Sequence, residues 1–214
     1  MLIELVKGVA LLLALCYLYG FIVRACRRHP LAEQVCAGLL FGGICVLGML
    51  TPLVLQPGVI FDARSVILSM AGLFGGPLVA AIAAVMTVAG RLSLGGAGML
   101  TSVQVIVLCT LAGLAYRQAH ARGLLRVEPL TLAGFGLVLH LAVLATLQAL
   151  PTEVVRHINE SVALPFLLAF TAATVALGLL LRDAQERMAT EHALAGTAAR
   201  LRAITQAIPD VLLV

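Results

Sequence analysis

The sequence predicts an all-α, polytopic membrane helical bundle: six apolar stretches, one broken into a helical hairpin, followed by a cytosolic coiled-coil-like helix. Three observations predict it. Apolar residues lie in blocks of bilayer-spanning length, basic residues gather in alternate connections, and the longest block is interrupted by glycines and a proline. The blocks are 3–23, 35–55, 59–89, 99–115, 130–150 and 162–181, each near or above the roughly 20 residues that cross about 30 Å of hydrocarbon. Hydrophobic residues are 62% and charged residues 11% of the 214, against about 45–50% and roughly 25% in a soluble domain. A soluble fold is thereby excluded.

The first block is read as a retained helix. Glu4 precedes Lys7, and Arg24-Ala25-Cys26-Arg27-Arg28 after it is no signal-peptidase site. Basic residues in short loops mark the cytoplasmic side. They occur at Arg24, Arg27 and Arg28, again at Arg117, Arg122 and Arg126, and from Arg182 onward. With all three regions inside, the amino terminus lies outside and the carboxyl end in the cytosol. That requires an odd number of crossings, whereas the stretches number six. Only 59–89 has length to spare, and Phe74-Gly75-Gly76-Pro77 stands at its middle. Proline and paired glycines break helices, so two shorter helices, about 62–73 and 77–90, are expected to meet there. Irregular backbone at that depth must be buried against protein or line a cavity.

The break returns the chain to the outer side at Arg91, the side of Asp62 and Arg64. Two arginines converging on one pocket repel unless an anion joins them, and guanidinium matches carboxylate or phosphate in bidentate geometry. Snorkelling of each arginine to its headgroup layer, or an internal Arg64–Asp62 pair, are the alternatives. After Arg91 come Gly95, Gly96 and Gly98, then a helix from about Met99. Such a turn offers free N–H groups and the positive dipole end, with Thr101 and Ser102 in the first turn. His140 is read as a packed histidine bonded to a neighbouring helix, with a proton relay as the alternative. Gly42, Gly43 and Gly48 are read as allowing close packing, and Arg156, His157 and Asn159 as an outer loop.

The five cysteines form no CxxC pair or metal cluster, and no catalytic set of side chains is found. No enzyme activity, metal, cofactor or nucleic-acid partner is expected of this region.

From Arg182 the composition turns polar and alanine-rich without proline until Pro209, predicting a helix that continues the last span. Leu194, Ala198, Leu201, Thr205 and Ile208 alternate in spacings of four and three, the seam of a two-helix coiled coil and hence of a homodimer. The last residues, 208–214, are apolar and strand-like, as if an effector part followed. The division is therefore 1–181 transmembrane, 182–207 cytosolic helix, and 208–214 the start of a further domain.

Phe61-Asp62-Ala63-Arg64-Ser65-Val66, Gly72-Leu73-Phe74-Gly75-Gly76-Pro77, Arg91 and Leu94-Gly95-Gly96-Ala97-Gly98 together resemble the LytS/YhcK-type multi-pass receptor domain. That module is the membrane sensor of bacterial histidine kinases and diguanylate cyclases. Residues 201–210 resemble the opening of a PAS domain. The resemblance implies a sensor in the bacterial inner membrane, acting in a two-component or cyclic-di-GMP pathway. It includes receptors linked to small carboxylates such as pyruvate, and carries ligand-contacting arginines onto Arg64 and Arg91 and a hydroxyl contact onto Ser102. The expected partners are a small carboxylate-like anion, membrane lipid and a second copy. A transport-related binding subunit, which also uses broken helices, and a ligand-free dimerising anchor are the rival readings.

Overall fold

A computed structural model describes residues 2–26, 29–50, 53–56, 59–61, 63–95, 98–148 and 152–211. The long helices are α1 (Leu2–Ala25), α2 (Pro30–Leu50), α4 (Pro77–Leu94), α5 (Met99–Ala121), α6 (Pro129–Leu147) and α8 (Ala163–Val211). Between α2 and α4 lie a hairpin of β1 (Leu53–Gln56) and β2 (Val59–Phe61), then the short α3 (Arg64–Met70), which ends in a π-helical turn over Ala71–Gly75. A second short helix, α7 (Thr152–His157), runs through a π turn at Ile158–Val162 into α8.

Among the described residues, five helices are long and apolar enough to cross a membrane: α2, α4, α5, α6 and the first part of α8, Ala163–Glu191. Ala10–Ala25 of α1 and Arg64–Gly75 are shorter apolar helices. The break expected at Phe74-Gly75-Gly76-Pro77 is present, its arms being Arg64–Gly75 and Pro77–Leu94. Gly76 has φ +83°, a region that glycine enters freely and other residues do not, and Pro77 opens α4 where its missing N–H costs nothing.

Three expectations need correction. The block 35–55 is not helical to its end: α2 stops at Leu50 and residues 53–56 pair antiparallel with 59–61, Leu53 opposite Phe61 and Val54 opposite Ile60. Pro52 has no N–H to carry the helix on, and Pro57-Gly58 is turn chemistry. The bundle is therefore helical with one small hairpin. The connection after α6, read as a loop, contains α7. The strand-like reading of 208–211 also fails, because α8 continues to Val211. No described strand lies beside those residues, so a helix is the form that satisfies their backbone groups within the segment.

As expected, α8 runs unbroken from the membrane into the polar tail through 182, and against expectation it continues past 208. Its 49 residues measure roughly 75 Å at 1.5 Å each, more than twice the hydrocarbon thickness. Leu194 and Leu201 of the expected seam are exposed, while the side chains of Thr205 and Ile208 lie outside the described residues.

The two arms of the break pack on different neighbours: α4 lies along α2, α3 against α5, and α5 touches both. Glycines set these distances. A Cβ added at Gly42 would meet the Ala83 Cα at 3.2 Å, and one at Gly113 would collide with the Ser69 carbonyl oxygen. Gly43 and Gly48, also expected to serve packing, face open space. Lipid tails give helices no hydrophobic reason to associate, so such close approach carries the cohesion. Gly113→Ala should therefore lower stability by about 3 kcal/mol, since the clash is with backbone. Gly43→Ala should be neutral or slightly stabilising. Thermal unfolding of the detergent-purified variants checks the contrast.

Candidate functional site

The arms of the break define two ends of the bundle: a basic end, where the Gly75-Gly76 turn meets Arg117 and Gln185, and a far end, where Arg64 and Arg91 stand. Arg91 lies 14 residues beyond Pro77 on α4, and Arg64 lies 11 residues before Gly75 on α3. At 1.5 Å per residue the two rise roughly 21 and 16 Å above the turn. Both arginines are half-buried, on the same end and at heights that differ by about one helical turn.

Arg91 is built into its surroundings. Its Nη1 donates to the Gly95 carbonyl at 2.6 Å, and the Gly95 N–H reaches the Arg91 carbonyl at 3.3 Å. Gly95 has φ +65°, so the chain leaves α4 by a glycine-only conformation. A Cβ added at Gly98 would lie 3.9 Å from Arg91 Nη2, which places the guanidinium beside the residue that precedes α5. The Ser102 N–H bonds the Gly98 carbonyl at 3.0 Å, closing the first turn, and Thr101 and Ser102 are half-buried. Arg91, Gly95, Gly98 and the start of α5 thus form one cluster. A guanidinium has five N–H donors, so the bond to Gly95 leaves capacity for an anion.

Arg64 stands on the other arm, joined to that cluster through α5, which packs on both α3 and α4. Its neighbour Ser65 is 4% exposed, and the Ser65 hydroxyl lies 3.2 Å from His140 Nε2. His140 Nδ1 is 2.7 Å from the Gly136 carbonyl. A carbonyl only accepts, so Nδ1 carries a proton, and in the neutral ring Nε2 takes the Ser65 proton. The ring is closed in by Phe166 and Phe170, with centroids at 5.4 and 5.6 Å. His140 is thus a buried histidine bonded to a neighbouring helix. It lies seven residues before Leu147, roughly 10 Å along α6 from its far-end terminus. The foot of Arg64 is accordingly set well inside the bundle. Asp62 and Gly96, both expected at the site, lie outside the described residues, as do the side chains of His157 and Asn159. Arg156, read as part of the outer loop, is exposed, 3.9 Å from Glu160.

At the basic end the structure assembles polar contacts that sequence reading used only as marks of sidedness. Arg117 Nη1 donates to the carbonyls of Leu73 and Phe74 at 3.0 and 3.3 Å. Gln185 Nε2 reaches the same Phe74 carbonyl at 3.4 Å and the Tyr19 hydroxyl at 3.0 Å. Arg182 Nη1 donates to the Val127 carbonyl at 2.8 Å. The available signal was the break itself, because a helix end leaves carbonyls that need donors.

The family model described as 5TMR of 5TMR-LYT, a five-transmembrane receptor of LytS type, matches residues 16–184. No curated protein and no solved structure matches the chain.

Removing the Ser65 hydroxyl strands a buried ring nitrogen. Ser65→Ala should cost about 1–3 kcal/mol. Ser93→Ala, which removes only an exposed bond to its own helix, should stay within about 0.5 kcal/mol. Chemical or thermal unfolding of both variants measures the difference.

Proposed function

The chain belongs to the 5TMR-LYT family of five-transmembrane receptor domains, and on that premise we propose that it is the sensor region of a bacterial signalling protein, taking a small carboxylate-like anion at its far end. The observation that carries this reading is the pair of half-buried arginines raised to similar heights on the two arms of one broken helix. They stand beside a glycine turn that opens α5. Arg64 and Arg91 supply the charge, Ser102 and Thr101 the hydroxyls, and the first N–H groups of α5 the dipole end. Asp62, Gly95, Gly96 and Gly98 shape the rim.

In this reading the far end faces outward across the inner membrane and the basic end faces the cytosol, as the arginine distribution argues. The tail of α8 pairs with that of a second copy through Leu194, Ala198 and Leu201, exposed residues of one helix face. It leads to a PAS-like segment and then to an output domain, either a diguanylate cyclase or a histidine kinase. The sensor region itself performs no chemistry. An anion shifts the population of helix arrangements only as far as its affinities for them differ.

Arg91's bond to Gly95 is the observation that favours the rival, a ligand-free anchor in which this arginine merely closes the end of α4. A thermal-shift screen of the purified protein against pyruvate, acetate and inorganic phosphate separates the two, run beside Arg64→Ala/Arg91→Ala. A ligand at 100 times its Kd adds about 2.7 kcal/mol of stability. The expected result is a shift in the wild type that the double variant lacks. A chain that ignores all three anions, or a shift that survives both substitutions, removes the arginine site and leaves the anchor.

A further inference from the structure

The Gly75-Gly76 turn sits where α1, α5 and α8 come together, and a single backbone atom joins them. The Phe74 carbonyl oxygen has two lone pairs, and two donors from different helices reach it: Arg117 Nη1 of α5 at 3.3 Å and Gln185 Nε2 of α8 at 3.4 Å. The Gln185 amide has two protons, and its second partner is the Tyr19 hydroxyl of α1 at 3.0 Å. Tyr19 is itself fixed edge-on against Phe41 of α2, centroids 5.7 Å apart. Arg117 lies close over the turn, since a Cβ at Gly76 would be 3.3 Å from the guanidinium carbon. Gln185 is also the fourth residue after Leu181, a fully buried residue of α8, and so lies one turn beyond it. Around it the helix pairs its own charges, Arg182 with Glu186 and Arg187 with Asp183, and further on it touches α1 through Arg24 and Glu191.

We infer that Gln185 is the residue through which the broken helix pair passes its position to the emerging part of α8, with the Phe74 carbonyl as the shared contact and Tyr19 as the fixed post. The inference rests on the receptor reading for its purpose but not for its geometry. A displacement of α3, whose far-end residue is Arg64, moves the Phe74 carbonyl at the other end of the same arm. Arg117 and Gln185 then compete for, or share, that oxygen. The arrangement has two discrete forms, Gln185 bonded to Phe74 and Tyr19 together or released to water at the basic end. α8 begins its free run a few residues further on. Apolar contact alone would let α8 slip along its neighbours. Directed bonds to a backbone atom tie its height to that of the turn.

The test is hydrogen exchange of the full chain in lipid nanodiscs, read over residues 183–190, for wild type, Arg117→Met, Gln185→Leu and the double variant. No anion is needed for this cycle. Loss of one bond should speed exchange there roughly fivefold. In the Gln185→Leu background Arg117→Met should add no further change at 183–190, because the link it acts through is gone. Tyr19→Phe, which keeps the ring packed on Phe41, should give a smaller increase and guards against a misfolded variant being read as a broken link. Effects that multiply independently, or an Arg117→Met that leaves 183–190 untouched, overturn the inference. The same four proteins are then given pyruvate. Coupling in the cycle without any response to pyruvate keeps the link and counts against the receptor reading. A pyruvate response at 183–190 that persists in Gln185→Leu overturns the link and keeps the receptor.

Discussion

A helix interrupted inside a membrane must find partners for the backbone groups the interruption frees, and the bundle is organised around that requirement. Water is not available in hydrocarbon, and an unsatisfied carbonyl there costs several kcal/mol. At the end of α3 the carbonyls of Leu73 and Phe74 are met by Arg117 of α5, and Phe74 also by Gln185 of α8. The π-helical turn over Ala71–Gly75 is part of the same solution, because widening the last turn redirects its carbonyls before the chain reverses. Fixing the turn in this way places one end of α5 and one point of α8. Through Tyr19 it also places α1. Three of the long helices thus take their height from one five-residue segment.

Once the turn is anchored, its two arms need not pack on each other, and they do so only slightly. The arm α3 is held by α5, where Gly72 and Gly113 bring the two backbones nearly into contact, and α4 is held by α2 through Gly38, Gly42 and Gly90. The arms end in arginines at similar height on either side of α5, whose first turn carries Thr101 and Ser102. A charged residue on an ordinary lipid-facing helix would have to reach a headgroup layer. Here Arg91 finds a protein carbonyl within its own cluster, and the neighbour of Arg64 is tied to His140. The polar far end is therefore a consequence of the broken pair and of the glycine contacts that seat its arms on α2 and α5.

The features written in local grammar were legible in the sequence. Gly75-Gly76-Pro77 marked the break to within a residue or two, the apolar blocks marked the long helices, and the proline-free tail marked the continuation of α8. The Arg91–Gly95 contact is also local, four residues apart, although it was read only as part of a glycine turn. What escaped the sequence is of two kinds. One is short structure in apolar segments: β1–β2 and α7 lie where hydropathy alone cannot tell strand from helix, and Pro52 and Pro57-Gly58 were the cues. The other is long-range polar pairing. Gln185 is 111 residues from Phe74 and 166 from Tyr19, and Ser65 is 75 from His140. No periodicity carries such pairs. They become foreseeable only when the break is treated as a demand for donors and the basic loops are searched for them.

Magnitudes bear on whether so few bonds are enough to link two ends of a bundle. A hydrogen bond from a neutral amide contributes about 0.5–1.5 kcal/mol net, and one from a guanidinium about 1.5–3. Coupling between distant sites in proteins typically amounts to about 1–3 kcal/mol, the same range. A single shared carbonyl with one charged and one neutral donor is therefore of the right size, and no extended network is required. The Gln185 contacts at 3.0 and 3.4 Å include one longer than the usual N–H···O range, which places their contribution toward the lower figure. One or two contacts of that strength move an equilibrium by roughly two- to fivefold and leave both arrangements populated. An arm locked by much stronger contacts would be rigid at any ligand concentration. One held by apolar packing alone would have no preferred height to report.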